Sequence, residues 1–217
     1  MNNKYSYNYE DRGAYTYPNS DTLRNKLNIE EEQAFFIAER AFASARQMEL
    51  NERPLLGHLD FDHLKAIHLY LFQDLFYWAG EIRTVAIAKQ DLFCLPQFIE
   101  SYAKEVFGDL KKQNYFLGIN KDALIIKIAS FLADLNALHP FREGNGRAQR
   151  EFIRYLTGIN GFGLDWSLIT SEENIIASHE SVNGNNSKMI NLISKIIFPL
   201  DEKQIEVFKP ILLNLNI

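Results

Sequence analysis

Residues 122–158 read DALIIKIASFLADLNALHPFREGNGRAQREFIRYLTG, and the fold turns on how this stretch divides. Its first half, 122–138, is apolar on nearly every side. That is too apolar for a helix showing one face to water, so it predicts a central buried helix. The helix must stop at His139, because a residue before proline is pushed out of the helical region. After Pro140 a short loop leads to Gly144-Asn145-Gly146, which opens a second helix, RAQREFIRYLTG, with Phe152, Ile153 and Leu156 on its core face. A glycine-bracketed turn feeding a helix start exposes unpaired backbone N–H groups at the positive end of a helix dipole. Such a start is an anion site, and phosphate is its usual occupant.

The side chains agree. Arg147 and Arg150 are three apart and share one face of the second helix, with Arg154 one turn beyond. Two guanidinium groups beside an N–H cradle match a di- or triphosphate, since arginine binds phosphate oxygens bidentately. Glu143 sits at the lip of the cradle, where phosphate would repel it unless a cation lay between, and Mg²⁺ typically bridges a carboxylate and nucleotide phosphates. His139, just before the cradle, is placed to accept a proton from an attacking hydroxyl. Base, metal carboxylate, cradle and charge clamp are the parts that phosphoryl-type transfer needs. A helix–loop–helix corner without chemistry would explain the proline and the glycines. It would not explain His139, Glu143, Asn145 and two arginines at these positions.

Working outward, residues 1–20 read as an irregular arm closed by Tyr17-Pro18-Asn19-Ser20, and Ser20 or Asp21 caps a short helix through about Asn28. Residues 30–50 predict a helix with a stripe of Phe35, Ala38, Phe42 and Ala45. A second runs from Asp62 to about Phe76 on Leu64, Ile67, Leu71 and Leu75. TVAIA, 84–88, reads as one strand of a hairpin whose other arm approaches Phe93–Leu95, with Pro96 confining that arm to an edge or a loop. Further helices are expected at about 97–112, 171–182 and 186–198, with Pro199 interrupting the last and a tail helix within 199–217. The fold class is mostly all-α with one small β-hairpin, in a single domain spanning 1–217.

Composition bounds the rest. Apolar residues make up 47% of the 217 and charged residues 24%, enough for a proper core. Cys94, the single cysteine, cannot form an intramolecular disulfide and fits a reducing cytoplasm. The opening residues, MNNKYSYNYEDRGAYTY, have no continuous apolar stretch, which argues against a secretory leader, and no segment reaches the length of a membrane span. A net charge of −5 argues against direct binding of nucleic acid. His58, His63, His68 and His179 show no metal-ligand spacing and read as packing or solvent residues; Cys94 reads as a packed flap residue. The tyrosines at 5, 7, 9, 15 and 17 read as packing an arm onto the domain.

HPFREGNGRAQR resembles the signature of the Fic family, His-x-Phe-x-(Asp/Glu)-Gly-Asn-Gly-Arg-x-x-Arg, at every specified position. YPNSDTLRNKLNI and LDFDHLKAIHLYLFQDLFYWAGEIRTV are similar to flanking segments of bacterial Fic proteins, so the likeness covers about 15–198. It implies a Fic-type helical bundle with a β-hairpin flap, and AMP transfer from Mg²⁺-ATP to a tyrosine, serine or threonine of a target protein. Carried over by position, His139 is the general base, Phe141 anchors the loop, and Glu143 holds Mg²⁺. Gly144, Asn145 and Gly146 form the anion hole; Arg147 and Arg150 bind the outer phosphates. The flap, 84–95, would clamp the target as an added strand, and 179–186 (HESVNGNN) lies where the family places a loop near the adenine. A binding module without turnover is opposed by the intact His139 and Glu143. UMP, phosphocholine or kinase chemistry is opposed by the Gly-Asn-Gly cradle.

Many Fic proteins carry an inhibitory (Ser/Thr)-x-x-x-Glu-(Gly/Asn) helix whose glutamate pairs with the second motif arginine, here Arg150. Only Glu143 and Glu173 precede Gly or Asn, and the residues four before them are His139 and Ile169. The chain thus resembles the toxin-like class restrained by a separate small antitoxin. The family analogy points to a type II topoisomerase as target.

Overall fold

The computed structural model describes residues 15–88 and 92–215. Among them the chain forms eight α-helices: α1 Glu32–Glu52, α2 Phe61–Phe72, α3 Ile99–Lys112, α4 Lys121–Leu138, α5 Asn145–Gly158, α6 Ser171–Val182, α7 Ser187–Ile196 and α8 Glu202–Asn214. One two-stranded antiparallel sheet pairs β1 Phe162–Leu164 with β2 Ile197–Pro199. No helix among the described residues is long and apolar enough to cross a membrane.

α4 is the buried helix expected at the centre. The Asn120 side chain caps it by accepting from the Ala123 N–H, and it packs against α3, α5, α6 and α7. Leu124, Ile125, Ile128, Phe131, Leu132, Leu135 and Leu138 are buried along it. At about 1.5–3 kcal/mol for each large apolar side chain removed from water, this surround decides its place more than helix propensity does. α5 leaves α4 through the loop 139–144 and packs against α2, α4, β1 and α8, with Phe152, Ile153, Tyr155 and Leu156 buried. One apolar cluster runs from Tyr15 to Leu215.

Four elements differ from the sequence expectation, each for a local reason. The short helix from Ser20 to Asn28 does not form. The Asn25 side chain instead donates to the carbonyls of Leu23 and Ile29 and accepts from the Ile29 N–H, a local bonding pattern that competes with helix. In α1 the buried stripe is Phe35, Glu39, Ala43 and Leu50, while Phe42 is exposed. The register was hidden because Glu39, a charged residue, faces inward. The strand expected over 84–88 is present only as an isolated Ala88–Leu92 bridge with the Phe93 N–H donating to the Ile87 carbonyl; the tip lies outside the described residues. The regular sheet lies instead where a helix to 198 was expected. Pro199 disfavours helix at Phe198, and Gly163 leaves room for the Phe198 ring, whose Cζ lies 2.4 Å from where a Cβ would stand.

Candidate active site

His139 ends α4 in the left-handed region, φ 41° and ψ 60°, with its N–H donating to the Leu135 carbonyl. A non-glycine residue held there marks a constraint imposed by its surroundings. The constraint is visible: the next residues are clipped by Asn145, whose side-chain oxygen accepts from the Phe141 N–H at 2.9 Å and whose amide donates to the Phe141 carbonyl at 2.6 Å. Phe141, fully buried, stacks on His68 with centroids 3.8 Å apart. The Gly80 N–H donates to His68 Nδ1 at 2.8 Å, so Nε2 carries the ring proton and donates to the Glu143 carbonyl at 2.9 Å. Burial pushes His68 down to about 3, which keeps the ring neutral in that role.

Gly144 starts α5 at φ 81°. A Cβ there would lie 2.4 Å from the Phe72 ring, so glycine is required on two counts. The first amides of α5, on Asn145 and Gly146, have no preceding turn to bond, a geometry that suits an anion cradle. Asn145 thus reaches the cradle through its backbone, because its side chain is committed to Phe141. The half-buried Glu143 accepts from the Gly144 N–H at 2.9 Å, and among the described residues no basic side chain pairs with it. The described residues hold no cluster of three or more metal-ligating side chains. A Mg²⁺ at Glu143 would therefore draw most of its shell from nucleotide oxygens and water, which is how Mg²⁺ is commonly held.

The arginines of α5 line one cleft of about 480 Å³ with Arg40, Ser44, Gln47 and Trp166. Arg147 pairs with Glu39 of α1 and lies 4.7 Å over the Phe72 ring. Arg154 is bidentate on Glu151 and also donates to the Leu50 carbonyl, so it serves the scaffold. Arg150 lies 5.9 Å over Trp166, with Nη1 3.3 Å from where a Gly146 Cβ would stand. Among the described residues no carboxylate pairs with it. Burial, then the neighbouring Arg147, lowers its pKa: its charge is poorly compensated.

The flap reaches this site from the other side. Phe93 stacks on the His139 ring, centroids 3.8 Å apart and planes 9° off parallel. Arg83, Glu39 and Trp166 were not singled out from the sequence, while Phe93 read only as part of the flap and His68 only as a packing or solvent residue. Nothing in a single chain marks a buried arginine or an aromatic partner in advance.

His63 and His68 are buried and bonded to backbone, as packing residues are. Burial raises the Cys94 thiol, which packs against the core. Tyr15 packs edge-on against Trp78, its hydroxyl bonded at Thr84; Tyr5, Tyr7 and Tyr9 lie outside the described residues. In 179–186 the backbone bonds run within the turn between α6 and α7. Glu173 closes the capping box of α6 and pairs with Lys195.

The Fic/DOC family model matches residues 58–157. The chain is 38% identical over 182 residues to the protein adenylyltransferase VbhT of Bartonella schoenbuchensis, covering 83% of this chain but only 38% of that protein's length. It is 33% identical over 196 residues to the probable protein adenylyltransferase Fic of Escherichia coli, covering 90% of this chain and 97% of that one. Among solved structures, BepC of Bartonella tribocorum with bound AMPPNP superposes with a TM-score of 0.80 at 26% identity, covering 86% of this chain and 97% of that one. With the motif geometry described above, these matches place the chain in the Fic/DOC family.

Proposed function

We propose that this chain transfers AMP from Mg²⁺-ATP to a tyrosine, serine or threonine hydroxyl of a target protein. The observation that carries the reading is the junction of α4 and α5. There a histidine pinned at a left-handed helix stop adjoins a helix start whose second arginine, Arg150, has no carboxylate partner among the described residues. The amides of Asn145 and Gly146 receive phosphate oxygens, with Arg147 and Arg150 taking the outer phosphates. Glu143 would hold a Mg²⁺, which would supply charge neutralisation for the phosphates. The target hydroxyl oxygen attacks the α-phosphorus while His139 takes its proton. The bond from that phosphorus to the oxygen bridging to the β-phosphate breaks, and pyrophosphate leaves. Two relatives bear this activity in their names, and the BepC structure holds an ATP analogue, which supports nucleotide as co-substrate.

The proposal extends to setting and partners. The compartment is the bacterial cytoplasm, in keeping with the one unpaired cysteine. By the family resemblance, the target is a type II topoisomerase and the restraint is a separate small antitoxin whose glutamate reaches Arg150. The uncompensated Arg150 supports that restraint, since a carboxylate there would compete with phosphate. Lysate incubated with the chain and α- or γ-labelled ATP tests the chemistry. Label from the α position entering a protein band is expected, and label from the γ position alone would overturn it. Expression without the partner is expected to arrest growth; normal growth with active purified protein would remove the toxin reading.

A further inference from the structure

Arg83 is among the largest fully buried side chains, with 1% of its surface exposed, and among the described residues its guanidinium meets no carboxylate. Its partners are main-chain carbonyls on three segments. Nε donates to His139 at 2.9 Å, Nη1 to Val85 at 2.7 Å and Nη2 to Cys94, while its own backbone N–H donates to Pro140 at 2.9 Å. Val85 and Cys94 stand on the two arms of the flap, and the Cys94 N–H is itself tied to the Ala137 carbonyl at 2.9 Å. One side chain therefore joins both flap arms to the backbone of the histidine at the end of α4.

Burying a cation among neutral dipoles is costly, and an apolar plug would fill the same volume without that cost. What the guanidinium adds is a planar fork of donors with fixed directions, which lysine cannot reproduce. It also supplies positive charge at the C-terminal end of α4, where the last carbonyls lack helical partners. We propose that Arg83 is the positioning residue that sets the register of the flap against His139, so that a hydroxyl held by the flap meets the ring that takes its proton. This rests on the transfer reading above. Arg83 touches neither nucleotide cradle nor cleft: the cradle lies at the start of α5, and the cleft is lined by residues of α1 and α5 with Leu164 and Trp166. Loss of the fork should thus separate transfer from nucleotide binding.

The test compares the intact chain with Arg83→Lys, Arg83→Met and Arg83→Ala in three measurements. These are Mg²⁺-ATP affinity by calorimetry, α-label transfer into lysate protein, and amide exchange of 84–88 and 92–95 against α7. ATP affinity is expected within about two-fold of the intact chain. Transfer is expected to fall about 100-fold or more in Arg83→Met, the scale of a roughly 1 Å misplacement remote from the chemistry. Lysine, with the charge but not the fork, should recover little, whereas methylguanidinium added to Arg83→Ala should restore transfer. Flap amides should exchange faster and α7 amides unchanged. Folded Arg83→Met or Arg83→Lys protein with undiminished transfer would overturn the proposal, and so would parallel loss of ATP binding. If Met and Ala variants do not fold, Arg83→Lys decides by the same measurements. If the intact chain transfers no α-label, the transfer reading fails instead. Flap exchange in Arg83→Lys then decides the positioning role, unchanged exchange overturning it.

Discussion

Substituting Gly144→Ala tests the helix start where the cradle is built. Two costs are legible in the geometry. The residue sits at φ 81°, and an alanine forced into the left-handed region costs about 1–2 kcal/mol. Its Cβ would lie 2.4 Å from both Cε2 and Cζ of Phe72, about 1 Å inside ordinary van der Waals contact. Phe72 cannot simply step back: it is fully buried, with its ring 4.7 Å from His68, 5.9 Å from Phe76 and 4.7 Å below Arg147. Overpacking of a fixed ring costs about 1–3 kcal/mol, so the total is about 2–5 kcal/mol. At about 2–4 °C per kcal/mol for a domain of this size, the melting temperature should drop by roughly 4–20 °C. Urea unfolding measures the cost, and a double-mutant cycle with Phe72→Leu divides it. Trimming the ring should recover the packing share and leave about 1–2 kcal/mol of backbone strain. A cost below about 1 kcal/mol, or one identical with and without the Phe72 ring, would refute the reasoning.

Three further outcomes are expected. His139→Ala should lose about 10²–10⁴-fold in transfer with ATP affinity unchanged, as removal of a general base does; wild-type turnover would strip His139 of the role. Glu143→Ala should lose the Mg²⁺ dependence of nucleotide binding along with activity, and a calorimetric titration that keeps that dependence would remove Glu143 from the metal site. His68 is held near pKa 3 by burial, and His63 is shifted in the same direction. Below pH 6.5 the unfolded chain binds protons that the folded rings do not, so the stabilisation is present above that pH and lost as pH falls toward 3. At pH 5.5 the loss is about 1.4 kcal/mol for His68 alone. Urea midpoints at pH 7.5 and 5.5 check it, since His68→Asn should flatten the difference.

How much of this was legible in the sequence follows from where each constraint is stored. α4 announces itself because burial on most sides narrows its polar stripe, although Ile126, Lys127 and Ser130 stay exposed, and its end at His139 is dictated by Pro140. The turn from α4 into α5 is legible because glycine, proline and left-handed turns are local matters. Long-range pairings are a different kind of information. Glu39 faces inward only because Arg147, more than a hundred residues later, meets it there, and so α1 was read with the wrong stripe. The flap read as a strand from its β-branched residues, yet Val85 and Ile87 are spent on the core, and among the described residues the arms share one bridge. What holds those arms is the Arg83 fork, which periodicity cannot show.

The charges of α5 explain why its three arginines, alike in the sequence, cannot share one role. Arg154 is closed by Glu151 and Arg147 by Glu39, while Arg150 is left over an indole ring with burial and a neighbouring cation both working against its charge. An ion pair already formed gains little from a further anion, because the incoming charge is repelled by the carboxylate it must share with. An uncompensated and partly desolvated cation gains most. The electrostatic return for a polyphosphate is therefore concentrated at Arg150, with Arg147 held in its pose by Glu39 and Phe72. On the proposed reading, a carboxylate delivered to Arg150 would recover the energy that phosphate gains there, and would compete with the outer phosphates of ATP.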